Sequence, residues 1–505
     1  MTLSVAKLIA PLAAFLAAGL GLVCLSSCGS RTITLPKPIP AADALLIIPR
    51  PKSLILTHTR LRIDSATRLV LRPAAGPLDR MAAFSVQSEL HEHFGLPLLT
   101  IVTGSAAKLP GTAITFEEST AAKRPEGYRL HIGRAGVVIS GHDARGTFYG
   151  AQTLCQMFAK DAHGTFLPGA DIDDYPTLSW RGAHLFVGNH ALPFHEKLIA
   201  RVFARLKLNN LVLQCEQAKW DTLGKAAPPW AMSKKDLKTE IAFARSYGMT
   251  VTPLVNSVGH MPWLFTDPAN LEMAEDPQTP YAACVDSPRT DEFLFRLHDE
   301  VLDTFHSDSL HIGGDEVTQR GRYPYRSRSA CPTVAGAFVT HVLRLHDHLK
   351  ARRVRTLLWS DMLLAPGEAR DAANAPTPLQ AAEMRLRLPK DIVLTDWHYT
   401  PNGPYPSPAL LQKAGFGPVI GATCSIPSNI AHFSQTLADG HQRGLLQTTW
   451  AGYNSSEANF HHEKRQFVAF VVAAECAWNG GQIDPQHLPY DPAQVFDRLY
   501  GAVGH

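Results

Sequence analysis

The chain has 505 residues, 45% of them hydrophobic and 18% charged, with 48 Lys and Arg against 45 Asp and Glu. That length exceeds a single ordinary core and fits two or three domains, and the hydrophobic content excludes intrinsic disorder. A formal net charge of +3 is too small to mark a phosphate-binding surface, so nucleic acid is not an expected partner.

The first segment reads as an address. Lys7 supplies the positive charge, residues 8–25 are apolar, and the run ends in Leu25-Ser26-Ser27-Cys28. A basic start, a hydrophobic stretch and small residues before the cut define a secretory signal over residues 1–27. Leu-Ser-Ser-Cys resembles the bacterial lipobox, which makes Cys28 the candidate lipidation site and the protein an exported, membrane-tethered lipoprotein, facing the periplasm or on the outer membrane. Residues 28–47 carry Pro36, Pro38 and Pro40 and read as an extended tether. Beyond Cys28 the cysteines are dispersed without paired spacing, so buried free thiols are expected.

Residues 48–175 mix short β-rich runs at 69–71, 113–116, 128–132 and 136–140 with helical stretches at 81–94 and 147–158, which makes a small α/β domain. Residues 176–505 change rhythm. Strand candidates at 210–213, 250–255, 309–312, 356–359, 392–397, 418–422 and 445–449 alternate with amphipathic helices such as 193–206, 235–247, 290–305 and 335–352. Repeated β-then-α units over this length predict a (β/α)8 barrel, and no Gly-rich phosphate loop supports the rival doubly wound sheet.

Barrel chemistry sits where strands end. The sharpest strand end is Leu310-His311-Ile312-Gly313-Gly314-Asp315-Glu316-Val317. Two glycines allow a sharp turn, after which both carboxylates can converge on one pocket, and crowding raises the pKa of one of them. This string resembles the catalytic motif of glycoside hydrolase family 20, the β-N-acetylhexosaminidases. Glu126-Gly127-Tyr128 through Gly146-Thr147-Phe148-Tyr149-Gly150 resembles that family's zincin-like domain. Trp180-Arg181-Gly182, Val258-Gly259-His260, Leu358-Trp359-Ser360-Asp361-Met362 and Thr448-Thr449-Trp450 resemble successive parts of its barrel. The Gly-His-Met and Trp-Ser-Asp-Met variants are nearer the hexosaminidase D-like branch.

The resemblance implies a retaining, substrate-assisted hydrolysis that releases terminal β-linked N-acetylhexosamine from an oligosaccharide or glycoconjugate, with no cofactor. Glu316 is the expected acid/base and Asp315 the expected partner of the acetamido group. Arg181 is expected on sugar hydroxyls, His260 in the network around the acid, and Trp359, Trp397 and Trp450 as walls of the sugar pocket.

Several family positions are filled differently. Phe186 stands where an Asp is usual, and the second strand ends in Leu213-Gln214-Cys215-Glu216-Gln217, where Glu216 is a candidate substitute. No Tyr follows the strand near Cys424, which leaves Tyr399 or Tyr453 to replace it. These departures keep open a catalytically weak carbohydrate-binding lipoprotein, or a hydrolase for a different sugar. His91-Glu92-His93 and His461-His462-Glu463 lack the HExxH spacing, so no metal is expected.

Overall fold

The computed structural model describes residues 45–105, 111–120, 122–325, 330–452 and 455–501. The signal segment and the lipidation candidate Cys28 lie outside the described residues, as does Tyr453.

Alternating burial builds the first sheet. Its strands are β1 (Ser53–Arg62), β2 (Arg68–Leu71), β3 (Thr100–Thr103), β4 (Ala113–Glu118), β5 (Tyr128–Gly133), β6 (Gly136–Gly141), β7 (Ala159–Asp161) and β8 (Gly164–Asp174). In β5 the side chains of Tyr128, Leu130 and Ile132 are buried while Arg129 and His131 face outward, the period-2 pattern of a strand with one wet face. The order is β1-β8-β5-β6-β4-β2-β3, with β7 paired to β8. Helices α1 (Pro77–Phe94) and α2 (Ala144–Cys155) pack on each other and on this sheet. Both begin earlier than apolar periodicity suggests, because polar caps set the start. Asp143 accepts the Gly146 N–H at 2.8 Å, and Asp79 reaches back to the Gly76 N–H at 2.8 Å.

The second sheet is a closed barrel of parallel strands: β9 (Trp180–Phe186), β10 (Asn210–Gln214), β11 (Thr250–Leu254), β12 (Ser309–His311), β13 (Arg355–Trp359), β14 (Val393–Trp397), β15 (Ile420–Thr423) and β16 (Gly444–Gln447). β16 pairs with β9 in the register Gly444 to Trp180, which closes the (β/α)8 ring. The barrel is filled by Val212, Leu254, Leu357, Trp359, Ile420, Ala422 and Leu446. Around it run α3 (Ala191–Lys197), α4 (Lys234–Ser246), α5 (Pro288–Phe305), α6 (Val334–Ala351), α7 (Pro378–Arg387), α8 (Ser407–Lys413), α9 (Pro427–Asp439), α10 (Glu457–His462), α11 (Lys464–Asn479) and α12 (Pro492–Tyr500). The helix expected over 193–206 is instead a short α3 that widens into a π-helical segment, Leu198–Phe203.

Charged side chains bind the small domain to the barrel. Lys207 Nζ lies 3.1 Å from Asp174 Oδ2, both fully buried, and it also donates to the Tyr128 hydroxyl at 3.0 Å. The Trp478 indole N–H donates to the same carboxylate at 2.8 Å. Cys155, Cys215 and Cys476 are buried thiols, and burial pushes the Cys155 thiol up to about 12.

Candidate active site

The turn after β12 depends on its glycines. Gly313 and Gly314 have φ of +71° and +92°, and a Cβ on them would stand 2.1 Å from Asn256 Oδ1 and 2.5 Å from Leu358 Cδ1 respectively. Both the left-handed backbone and the close approach require glycine. The turn delivers Asp315 and then Glu316, whose own φ is +48°, a conformation that costs a non-glycine residue about 1–3 kcal/mol and must be held by its surroundings. The holding group is Asp361, just beyond β13. Its Oδ2 accepts the Glu316 N–H at 2.9 Å and the Asn374 amide at 2.8 Å.

His260 enters from the loop after β11. Its Nε2 lies 3.3 Å from Glu316 Oε2 and 3.5 Å from Asp315 Oδ2, and its φ is also left-handed, +52°. Burial disfavours the imidazolium, yet Glu316, Asp315 and Asp361 outweigh burial and raise the pKa above its ordinary value. The pKa of Asp315 is raised too: burial raises it and Glu316 adds to the rise, against the pull of His260. Asp361 is lifted to about 7, first by burial and then by Asp315, while the amides of Glu316 and Asn374 and the Trp397 indole pull it down. Three carboxyl groups and one imidazole therefore share one cluster, in which Asp315 and Asp361 hold a proton more tightly than an ordinary carboxyl.

An aromatic arc stands beside this cluster, contributed by the ends of β13, β14 and β16. Trp359 is buried, with its ring 6.4 Å from that of Trp450. Trp397 lies 5.0 Å from Tyr399. The Trp450 indole N–H donates to the Tyr399 hydroxyl at 3.0 Å, and Trp450 itself is 38% exposed. Tyr399 is fixed through its backbone, because Asp371 accepts the N–H groups of Tyr399 at 2.7 Å and Thr400 at 2.8 Å. Stacked faces flanked by a few polar groups are the usual way to hold an uncharged sugar ring. Among the described residues no group of three His, Cys, Asp or Glu could hold a metal ion.

Two family models cover consecutive parts of the chain. Glycosyl hydrolase family 20, domain 2, matches residues 44–175, and the catalytic domain of the same family matches residues 172–399. The chain belongs to glycosyl hydrolase family 20. It is similar to the lacto-N-biosidase of Bifidobacterium bifidum, 26% identical over 332 residues, covering 63% of this chain and 28% of that protein. A β-hexosaminidase of Porphyromonas gingivalis is 26% identical over 317 residues, 55% of this chain and 40% of that protein. The match thus spans well under half the length of these relatives. Among solved structures, the fold is similar to that of the N-acetyl-β-hexosaminidase of Streptomyces plicatus, with a TM-score of 0.69 and 20% identity over 90% of this chain and 94% of that one. The family 20 β-N-acetylhexosaminidase of Streptomyces coelicolor gives 0.67 and 20% over 90% and 95%.

In this family 20 chain the structure brings Asp315, Glu316, His260, Trp359, Trp397, Tyr399 and Trp450 to the same end of the barrel. It does not bring Arg181 there. Arg181 is the second residue of β9, at the N-terminal end of the strand, and is fully buried. Its guanidinium donates to Glu126 Oε2 at 2.7 Å, Tyr149 Oη at 3.2 Å, and the carbonyls of Lys207, Leu178 and Ser179 at 3.0, 2.9 and 3.2 Å. Five donors meet five acceptors, so none remains for a sugar hydroxyl. The expectation that Arg181 contacts substrate is corrected: it locks the small domain to the barrel.

Asp361, which the Trp-Ser-Asp-Met motif contains without assigning it a role, and Asn374 and Asp371, which no motif contains, are the further residues of the site. Asp361 stands two residues past Trp359 at a strand end, a position that signals a site; Asn374 and Asp371 sit in a loop with no local pattern. Glu216 is buried and accepts from Gln214 Nε2 at 2.7 Å and Asn256 Nδ2 at 3.1 Å. It thereby supports Asn256, which packs beneath the Gly313 turn.

Proposed function

We propose that this chain is an exo-acting β-N-acetylhexosaminidase that releases terminal β-linked N-acetylglucosamine or N-acetylgalactosamine. The observation that carries the reading is the Asp315–Glu316 pair, held by a Gly-Gly turn beside His260 and the aromatic arc. Glu316 protonates the glycosidic oxygen as it leaves and later takes a proton from water. The substrate's own acetamido oxygen attacks the anomeric carbon, so no protein nucleophile is needed. Asp315 accepts the acetamido N–H and stabilises the positive charge that spreads into the resulting oxazolinium ring. Trp359, Trp397, Tyr399 and Trp450 enclose the sugar, and the Tyr399 hydroxyl, already turned toward Trp450, serves in place of the tyrosine missing near Cys424.

Release of nitrophenol from the β-glycosides of the two N-acetylhexosamines tests this directly. Glu316→Gln should cut kcat by about 10²–10⁴ with little change in KM, and Asp315→Asn should cut kcat for acetamido sugars. Wild-type protein that binds these sugars without turning them over would instead support the carbohydrate-binding alternative.

We also propose that Cys28 carries a lipid anchoring the mature chain to a bacterial membrane surface, supported by the Leu-Ser-Ser-Cys sequence. Cys28→Ala should move the protein from the membrane to the soluble fraction; unchanged membrane retention argues against the anchor.

A further inference from the structure

The opposite, N-terminal mouth of the barrel contains a polar cavity of about 270 Å³. Its wall is made by the residues that open the strands: Asn210, Thr250, Ser309 and Arg355 begin β10 to β13, and Arg443 immediately precedes β16. Leu357, Val393 and Ile420 close its floor and belong to the apolar filling of the barrel or pack against it. The cavity is therefore a blind well, sealed from the catalytic end.

Three guanidinium groups line it, those of Arg145, Arg355 and Arg443, against one carboxylate, Asp308. Two are already engaged. Arg145 pairs with Glu126 at 3.1 Å and donates to the Gly248 carbonyl at 3.2 Å, and Arg355 pairs with Asp308 at 2.6 Å. Arg443 is different. Its side chain meets no hydrogen-bond or ion-pair partner among the described residues, and its Nε is buried from solvent. Burial and the neighbouring Arg355 both lower its pKa. Its backbone is pinned on both sides: its N–H donates to the Val419 carbonyl at 2.9 Å, and its carbonyl accepts from Trp180 N at 3.2 Å and Ser179 Oγ at 3.2 Å. The side chain is thus delivered to the well by the fold. A partly desolvated cation facing a second cation is costly unless an anion joins them. Hydroxyl groups surround the same space: Thr250 opens β11, and Thr252 Oγ1 lies 3.4 Å from Ser309 Oγ, which donates to Asp308 at 3.2 Å.

We propose that this well binds a small tetrahedral oxyanion, a phosphate or sulfate group, clasped by Arg443 and Arg355 with hydroxyl donors from the strand openings. A planar guanidinium matches two oxygens of such a group at once. The volume exceeds a bare ion, so the group can be free or the ester of a small sugar. Arg145 comes from α2 of the small domain and Ser179 from the connection into β9, so occupancy also braces the junction between the two folds.

Titration calorimetry of the full chain with sodium phosphate, sodium sulfate, glucose 6-phosphate and glucose 6-sulfate, at matched chloride, tests the proposal. At least one of these should bind with a stoichiometry of one. Arg443→Gln should weaken that binding tenfold or more, and Arg355→Gln should weaken it as well. Binding of the bare ions identifies a free oxyanion as the ligand, and binding of the esters alone identifies a sugar ester. Glu316→Gln should bind the anion like wild type, which separates this well from the catalytic end. Circular dichroism controls for folding. No saturable binding above the chloride control, or equal binding by folded Arg443→Gln, overturns the proposal.

Discussion

The backbone N–H of Glu316 donates to the carboxylate of Asp361 at 2.9 Å across 45 residues of sequence. This one bond joins the end of β12 to the end of β13 and holds the proposed acid in its left-handed conformation. Asp361→Ala removes the acceptor and leaves the amide of Glu316 unpaired, so kcat on a nitrophenyl N-acetylhexosaminide should fall by about 10–100-fold, the scale of a lost orienting bond. KM should move less than threefold, because Asp361 braces the acid rather than the sugar. A large rise in KM with kcat preserved would contradict the assignment.

Asp361 also makes a prediction about pH. Its folded pKa is about 7, against an ordinary value of 3.8, so the folded state binds more protons than the unfolded state between these limits. The stability contributed by its protonated form is complete below about pH 4 and declines as pH rises toward 7. Urea unfolding across that window should show a decline for wild type that is smaller in Asp361→Asn. If both proteins give the same slope, the residue does not titrate as stated.

His398 carries the opposite charge and a later window. Burial opposes its protonation, but Asp396 and Asp371 on either side raise its pKa to about 9. Its Nε2 also lies 2.7 Å from the Ser407 hydroxyl, which resembles a Ser-His-Asp arrangement. A buried, charged imidazole cannot serve as a base, so the cluster is structural: it fixes Asp371, which in turn holds Tyr399. A raised pKa contributes stability that is complete below about 6.5 and lost as pH passes through about 9, on the order of 3 kcal/mol at about 1.4 kcal/mol per pKa unit. Melting temperature should drop between pH 7 and pH 10, and His398→Gln should melt lower at pH 7 with a shallower drop. An unchanged pH profile in that variant would refute the charged state.

Much of this arrangement was legible in the sequence because barrel strands are short apolar runs and their ends advertise chemistry. Asp315 and Glu316 stand out after Gly313-Gly314, and the aromatic arc stands out because large rings at strand ends have few other reasons to recur. The residues behind them were not legible. Asp371 acts through the distant backbone amides of Tyr399 and Thr400, and Asn374 through its side-chain amide on the Asp361 carboxylate, and no local periodicity records such pairings. β1 is silent in the sequence for a related reason: its Leu-Thr-His-Thr-Arg run is mostly solvent-facing and becomes a strand only by pairing with β8. Arg181 was misplaced because its motif marks the start of β9, while chemistry sits at the end of the strand.

Trp450 separates binding from chemistry. It is the most exposed member of the arc and touches His184, Tyr399 and Trp359 through ring or hydrogen-bond contacts. Trp450→Ala removes a stacking face while leaving Glu316 and Asp361 in place, so KM should rise about tenfold, a loss of about 1.4 kcal/mol. kcat should stay within about threefold. Loss of kcat alone would place Trp450 on the reacting atoms instead of the bound sugar.

Arg181 gives the sharpest contrast between two readings of one residue. A substrate contact predicts that Arg181→Ala raises KM in a stable protein. The buried geometry predicts the reverse, since the change removes the buried cation of Glu126, leaving it Arg145 and Asn209, and frees four further acceptors at the domain junction. Removing one partner of a buried ion pair costs about 3–5 kcal/mol, and at this chain length about 1 kcal/mol moves the melting temperature by roughly 2–4 °C or less. Differential scanning calorimetry should therefore show a fall of several degrees, and the enzyme that remains folded should keep its KM. A stable variant with a raised KM would return Arg181 to the sugar.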